Sequence, residues 1–250
     1  MRMTAGTIRF LVPVLLLGSH IATAQTADEL VEKHLAALGG RAALAKVTSR
    51  STTGTMALTT PNGAVSGSIE ILNQQPNKIR TLINLDLTSI GAGQLTRDQR
   101  FDGTTGYVLD SMQGNREITG NQLANMKGSI FPSPFLNYKE RGVTVELAGK
   151  ENVNGRAAYV LIYKPGSGSA VRQLIDAETY LTARIVVKVD IPEAGEVEQT
   201  SDLSDYHEVD GIKIPFTINV SSAIQRFSIA VTKVEHNIKI DEALFARPAR

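Results

Sequence analysis

Four dipeptides, Asn62-Gly63, Asp102-Gly103, Asn154-Gly155 and Asp210-Gly211, punctuate this chain between runs in which apolar residues recur at every second position. Asn-Gly and Asp-Gly adopt the positive φ angles that tight turns between antiparallel strands demand, and a period of two is the mark of a strand with one buried face. The alternation assigns faces: Met56 and Leu58 on one strand, Val65, Ile69 and Ile71 on the next, then Ile79, Ile83, Leu85 and Leu87. The second half repeats the style in Tyr159, Leu161 and Tyr163, in Ile185, Val187 and Val189, in Ile212, Ile214, Phe216, Ile218 and Val220, and in Phe227, Ile229 and Val231. The runs amount to about ten or eleven strands, which calls for a strongly curved sheet or barrel rather than a flat one.

Two segments break the period. Thr26-Ala27-Asp28-Glu29 reads as a capping box, Leu30, Val31, Leu35 and Leu38 form a stripe at helical spacing, and Gly39-Gly40 supplies the stop. A second short turn of helix is expected over residues 41–47. In the middle, from Gly120 to Tyr138, Leu123, Met126, Ile130 and Phe131 suit a short amphipathic helix. The following Pro132-Ser133-Pro134-Phe135-Leu136 stops that helix with apolar groups still on offer, so the segment reads as a lid or plug. Pro165-Gly166-Ser167-Gly168-Ser169 is a loop between adjacent strands, not a domain boundary.

The beginning of the chain sets the compartment. Arg2 and Arg9, an apolar core from Phe10 to Leu17, and small residues at Ala22 and Ala24 read as a secretory signal peptide over residues 1–24, cut after Ala24, followed by a single domain over 25–250. The apolar core is far shorter than the ~20 residues a membrane-spanning helix needs, so the mature protein is expected to be soluble, not transmembrane, and periplasmic. With Arg2 and Arg9 gone, 24 basic residues face 25 acidic ones. That balance gives no electrostatic footprint for nucleic acid or for an anionic membrane surface. The chain has no cysteine, which excludes disulfides, thiol nucleophiles and zinc held by thiolates, and with them a lipidated N-terminal cysteine.

Chemistry would have to begin from His34, His207 and His236. His34 lies on the first helix beside its apolar stripe and reads as a packed residue. Asp205-Tyr206-His207-Glu208-Val209-Asp210 is the densest polar cluster, but on a strand His207 and Val209 share one face while Glu208 and Asp210 share the other. His236 shows no ligand spacing. Nucleophile elbows, zinc-protease motifs, phosphate loops and dinucleotide fingerprints are missing from the sequence. The reading is therefore non-enzymatic, with no catalytic residue, metal ligand or cofactor assigned.

The order of helix, antiparallel strands, mid-chain helical lid and further strands resembles the LolA/LolB-like periplasmic lipoprotein carriers and the outer-membrane lipoprotein-sorting proteins related to them. The likeness extends over essentially all of residues 25–250. Its local pieces are Gln74-Gln75-Pro76-Asn77-Lys78-Ile79-Arg80, similar to the Lys-x-Pro-Asn turn of that family, and Phe101-Asp102-Gly103-Thr104-Thr105-Gly106-Tyr107, similar to its Asp-Gly hairpin ahead of an aromatic. The stretch from Asp205-Tyr206 to Pro215-Phe216 and the terminal Phe245-Ala246-Arg247-Pro248 also resemble the family pattern. Gln75 departs from it, because carriers of the best-known type place there an arginine that ties the lid to the barrel.

The resemblance implies an incomplete antiparallel β-barrel, mainly β with a few helices, whose apolar concave face holds acyl chains of lipoproteins or other lipids for transport towards the outer membrane. Without a lipidation cysteine the chain resembles the soluble shuttle of such a system, a monomer meeting partners in the inner and outer membranes. The candidate lipid-binding residues are Met56, Leu58, Ile69, Ile71, Ile79, Ile83 and Leu85 on the strands, with Leu123, Met126, Ile130, Phe131 and Phe135 from the lid. The plainer alternative is that these side chains fill a closed core and the sheet serves as a scaffold in the cell envelope.

Overall fold

The computed structural model describes residues 25–61, 63–191 and 195–248. The expected signal peptide and Asn62 of the first turn lie outside the described residues.

The chain opens with α1 (Ala27–Ala37), where the capping box forms in both directions. Glu29 N–H donates to Thr26 Oγ1 at 3.2 Å, and Thr26 N–H donates to Glu29 Oε2 at 3.1 Å. Leu30, Val31, His34 and Leu35 make the buried face. The helix ends where Gly39 takes a φ of 121°. A Cβ on Gly39 would stand 2.1 Å from the carbonyl oxygen of Gly211, so glycine is what lets the helix end dock on a strand turn. A backbone hydrogen bond of 2.9 Å from Lys213 N–H to the Leu38 carbonyl fixes the same junction. The short α2 (Arg41–Ala45) follows and turns Leu44 inward.

Six strands come next: β1 (Ser49–Thr60), β2 (Gly63–Gln74), β3 (Lys78–Asp86), β4 (Gln94–Phe101), β5 (Gly106–Asp110) and β6 (Arg116–Ile118). The helix α3 (Gly120–Gly128) interrupts them. Seven more follow: β7 (Thr144–Val153), β8 (Arg156–Lys164), β9 (Val171–Asp176), β10 (Thr182–Ile191), β11 (Gly195–Val209), β12 (Ile212–Ser221) and β13 (Arg226–His236). These thirteen strands form one antiparallel sheet in the order β6-β5-β4-β3-β2-β1-β13-β12-β11-β10-β9-β8-β7. At the Asn154-Gly155 and Asp210-Gly211 turns both residues have positive φ, the geometry of two-residue hairpin loops.

The strand count exceeds the expected ten or eleven because β6 is only three residues long and β9 shows no alternation. In β9 the sheet is buried on both faces. Ile175 joins the concave core, while Leu174 joins a second cluster with Val153, Ala158, Val160 and Val186 on the convex side. The predicted mid-chain helix is shorter than its apolar pattern, ending at Gly128, so Ile130 and Phe131 belong to the irregular segment after it.

The topology dictates where that segment runs. The first and last strands pair in the middle of the sheet, and the two free edges, β6 and β7, are consecutive in sequence. Residues 119–143 must therefore bridge the two edges of the open barrel. Side chains on α3 show the crossing. On one side Gln122 Nε2 reaches Gln99 of β4 at 3.4 Å; on the other Asn125 Nδ2 donates to the Lys188 carbonyl of β10 at 3.0 Å, and its Oδ1 accepts from Ser169 N–H at 2.6 Å.

Candidate binding cavity

The register fixes which side chains share the concave face. Met56 pairs across Gly67 with Leu85, and Gly54 pairs through Ile69 with Ile83. In the other half, Ile185 of β10 stands between Gln173 of β9 and Ser201 of β11, and Gln173 pairs with Leu161 of β8. Period-two patterning thus carries one apolar surface around most of the sheet.

Two halves of that surface differ. Met56, Ile69 and Leu85 are buried, and Leu58, Ile71 and Ile83 are half-buried against the same core, which includes Phe131 and Phe135 from the lid. Phe135 has no exposed surface and meets the rings of His34 and Tyr163 edge-on at 5.6 and 5.8 Å. Ile79, Leu123 and Met126 pack elsewhere, with Phe101, Val108 and Ile118 under α3. The sequence-predicted residues are therefore divided between two packed clusters, and Ile130 alone of them lines the cavity described next.

That cavity, of about 370 Å³, lies under the segment Ser129–Pro134 on the concave face of the other half of the sheet. Its apolar wall comes from Tyr163, Val171, Ile185, Leu203, Ile214 and Ile218, with Leu38, Leu44 and Val47 closing it at the helical end. A second space of about 240 Å³ shares Ser129, Tyr163, Val171 and Ile185 with it. That space in turn shares Asn125 and Val189 with a third of about 390 Å³, where Gln99, Gln122, Gln199 and Gln225 make the lining polar. The three form a row beneath the lid segment, with mainly apolar walls in the first two and amide side chains in the third. The two larger volumes fall within the roughly 300–1,000 Å³ typical of small-ligand sites. The strands that build the apolar wall were legible in the alternation of Ile185, Val187 and Val189 and of Ile212 to Val220, but nothing in that pattern separates a wall from a filled core.

Several polar groups of the cavity are buried, among them His34, Gln173 and Thr182. His34, 2% exposed, donates from Nδ1 to the Tyr180 carbonyl at 2.8 Å, and Gln173 Nε2 approaches its Nε2 at 3.4 Å while donating to Thr182 Oγ1 at 2.6 Å. Burial lowers the His34 pKa, opposed by the Tyr180 hydrogen bond, so the ring is held neutral. Tyr206 donates to the Thr182 carbonyl at 2.8 Å, and burial raises its pKa. Arg50 lines the cavity with its guanidinium carbon 5.1 Å from the Phe131 ring centroid, and burial pushes its pKa down to about 10. His207, outside the cavity, donates from Nε2 to Asp205 Oδ1 at 2.9 Å and stacks on Phe216 with centroids 4.3 Å apart. Among the described residues no group of three or more metal-ligating side chains converges, and no helix is long and apolar enough to cross a membrane.

No protein-family model matches the sequence, and no curated protein matches it. Among solved structures, a LolA superfamily protein from Nitrosomonas europaea superposes with a TM-score of 0.55 over 90% of this chain and 99% of its own, at 13% identity. The chain has the LolA-like fold. A DUF1329 family protein from Desulfovibrio piger gives a TM-score of 0.54 at 15% identity, over 89% of this chain and 98% of its own. A domain from Vibrio parahaemolyticus assigned to outer-membrane lipoprotein sorting gives 0.50 at 13% identity, over 87% and 94%. Within this LolA-like fold the lid is held without an arginine before the Pro-Asn turn. Gln75 bonds away from the lid, donating from Nε2 to the Val47 carbonyl at 2.8 Å. At this turn the lid is tied through backbone, by Phe131 N–H donating to the Pro76 carbonyl at 2.8 Å.

Proposed function

We propose that this protein is a periplasmic carrier that shelters acyl chains of lipoproteins or other lipids in the row of cavities beneath its lid and moves them towards the outer membrane. The observation that carries this reading is the apolar wall from Tyr163 to Ile218, left uncovered by side chains under a segment that spans the open barrel. Each methylene moved there from water contributes about 0.8 kcal/mol, so a single long acyl chain brings on the order of 10 kcal/mol of gross transfer energy. Capture at that scale needs no catalyst, and release requires that the emptied space close. The segment from Ser129 to Pro134, tied to the barrel by the Phe131 to Pro76 hydrogen bond, is suited to move with cargo. Residues 1–24 serve as the export signal in this reading, and residues 25–250 act as one monomeric domain whose partners sit in the two membranes.

Native mass spectrometry of the protein recovered from its own cell envelope tests the proposal. A carrier yields a population heavier by the mass of one lipid, which organic extraction removes. A single species at the bare polypeptide mass, unchanged by added lipid, would leave a β-scaffold of the envelope as the better account.

A further inference from the structure

Arg50 is the anomaly of the cavity. It lies on β1 with the inward-facing residues Thr52, Gly54 and Met56, and its cross-strand partner on β13 is His236. Its Nε is shut off from solvent with no hydrogen-bond partner, and among the described residues no carboxylate pairs with its guanidinium. A half-buried cation without a counter-charge is costly to keep, and folded proteins ordinarily pair one. The neighbouring His236 side chain is almost fully buried, 2% exposed, and also lines the cavity. Its Nδ1 donates to Asp210 at 3.2 Å on the solvent side, so the neutral ring has a lone pair at Nε2 with no partner among the described residues. Lys213 stands at the same cavity, and no aspartate or glutamate lines it. One end of a mainly apolar space thus offers the donors and positive charge of Arg50 and Lys213, and the one carboxylate nearby, Asp210, is taken up by His236 on the solvent side.

We propose that the cavity selects amphiphiles with an anionic head group, a carboxylate or phosphate that docks on Arg50 beside His236 while its tail runs along Val171, Ile185 and Val189 beneath α3. The proposal rests on the carrier reading and narrows its cargo. A planar guanidinium suits both head groups because it can donate two parallel hydrogen bonds, and such charge-assisted bonds strengthen where water is excluded. The ring of Phe131, against the guanidinium, makes the lid part of the head-group end, so cargo and lid meet at one residue.

Competition against an uncharged fluorescent probe, N-phenyl-1-naphthylamine, tests this on the full chain. The probe reports on the apolar space alone. Dodecanoate is expected to displace it about tenfold more tightly than 1-dodecanol, the discrimination one charge-assisted contact supplies. Arg50→Met should erase that difference, each ligand being read against the variant's own affinity for the probe, because it removes charge and retains apolar length. Equal displacement by dodecanoate and dodecanol in the unaltered protein overturns the head-group proposal and needs no variant to fold. Thermal stabilisation by inorganic phosphate equal to that by dodecanoate also overturns it, in favour of a site for free anions. Failure of the probe to bind at all strikes the carrier reading instead.

Discussion

The ring of Phe135, carried by the lid, meets the imidazole of His34, carried by α1, edge-on at 5.6 Å, and both are almost entirely out of solvent. This contact joins α1 to the irregular segment of the lid inside the open barrel. Phe135→Ala removes a fully buried ring and leaves its volume empty, which should cost about 3–5 kcal/mol of unfolding free energy. Urea denaturation of the two proteins measures it. A loss below about 1 kcal/mol would mean that the plug is not part of the folded core.

The environment of His34 sets the pH response. Its folded pKa lies below the ordinary 6.5, because burial disfavours the charged ring. As pH falls past 6.5 the unfolded chain therefore binds a proton that the folded one resists, and stability must fall. His236, also lowered chiefly by burial, acts in the same direction. Stability should be flat above neutrality and decline as pH drops from 7 towards 5, about where carboxylates still stay ionised. Thermal melts across that window check the sign, and His34→Gln should flatten the decline. A protein more stable at pH 5.5 than at 7.5 would contradict the neutral assignment.

Gly39 tests the docking of α1 on the sheet. Its φ of 121° and the 2.1 Å approach of a virtual Cβ to Gly211 oxygen leave no room for a side chain. Gly39→Ala should destabilise by about 1–3 kcal/mol, while Gly40→Ala, where a Cβ meets nothing within 4 Å, should carry the φ cost without the clash. Comparing the two variants by chemical denaturation separates steric from conformational effects; equal losses would place the whole cost in backbone conformation.

Much of this architecture was legible in the chain, and the limits of legibility have physical causes. Two of the dipeptide turns, at Asn154 and Asp210, form two-residue loops because their chemistry is local and depends on nothing distant. The capping box of Thr26 and Glu29 is legible for the same reason. β9 escaped because Leu174 and Ile175 are buried on opposite faces, which erases the period of two. The open cavity escaped for a different reason. Met56 and Ile185 sit in equally regular alternation, yet one lies in a packed core and the other beside empty space, and that depends on how far Phe131 and Phe135 reach. The role of Arg50 was hidden too, since a strand pattern does not tell whether a cation on its inner face finds an anion.

Asp176 anchors the turn between β9 and β10. Its carboxylate accepts from Arg156 Nε at 2.6 Å and Nη2 at 3.1 Å, and from the backbone N–H groups of Glu178 and Thr179 at 3.1 and 2.8 Å. The Arg156 hydrogen bond, with these backbone donors, holds its pKa well below the usual carboxylate range. The stability it contributes is present above about pH 4, the ordinary carboxylate value, and is lost as pH falls towards the depressed one. Asp176→Asn should cost about 1–3 kcal/mol at pH 7, and the gap should narrow in acid. A gap that widens on acidification would contradict the assignment.

Titration with a fluorescent fatty acid, comparing the unaltered protein with Ile185→Trp, tests the central claim most directly. Ile185 lines both of the apolar spaces beneath the lid, so an indole there fills the room an acyl chain would take. The account predicts saturable, one-to-one uptake by the unaltered protein, and loss of at least about tenfold in affinity in the variant with its cooperative melt retained. Absence of uptake by the unaltered protein, or unchanged affinity in a folded Ile185→Trp variant, would contradict it.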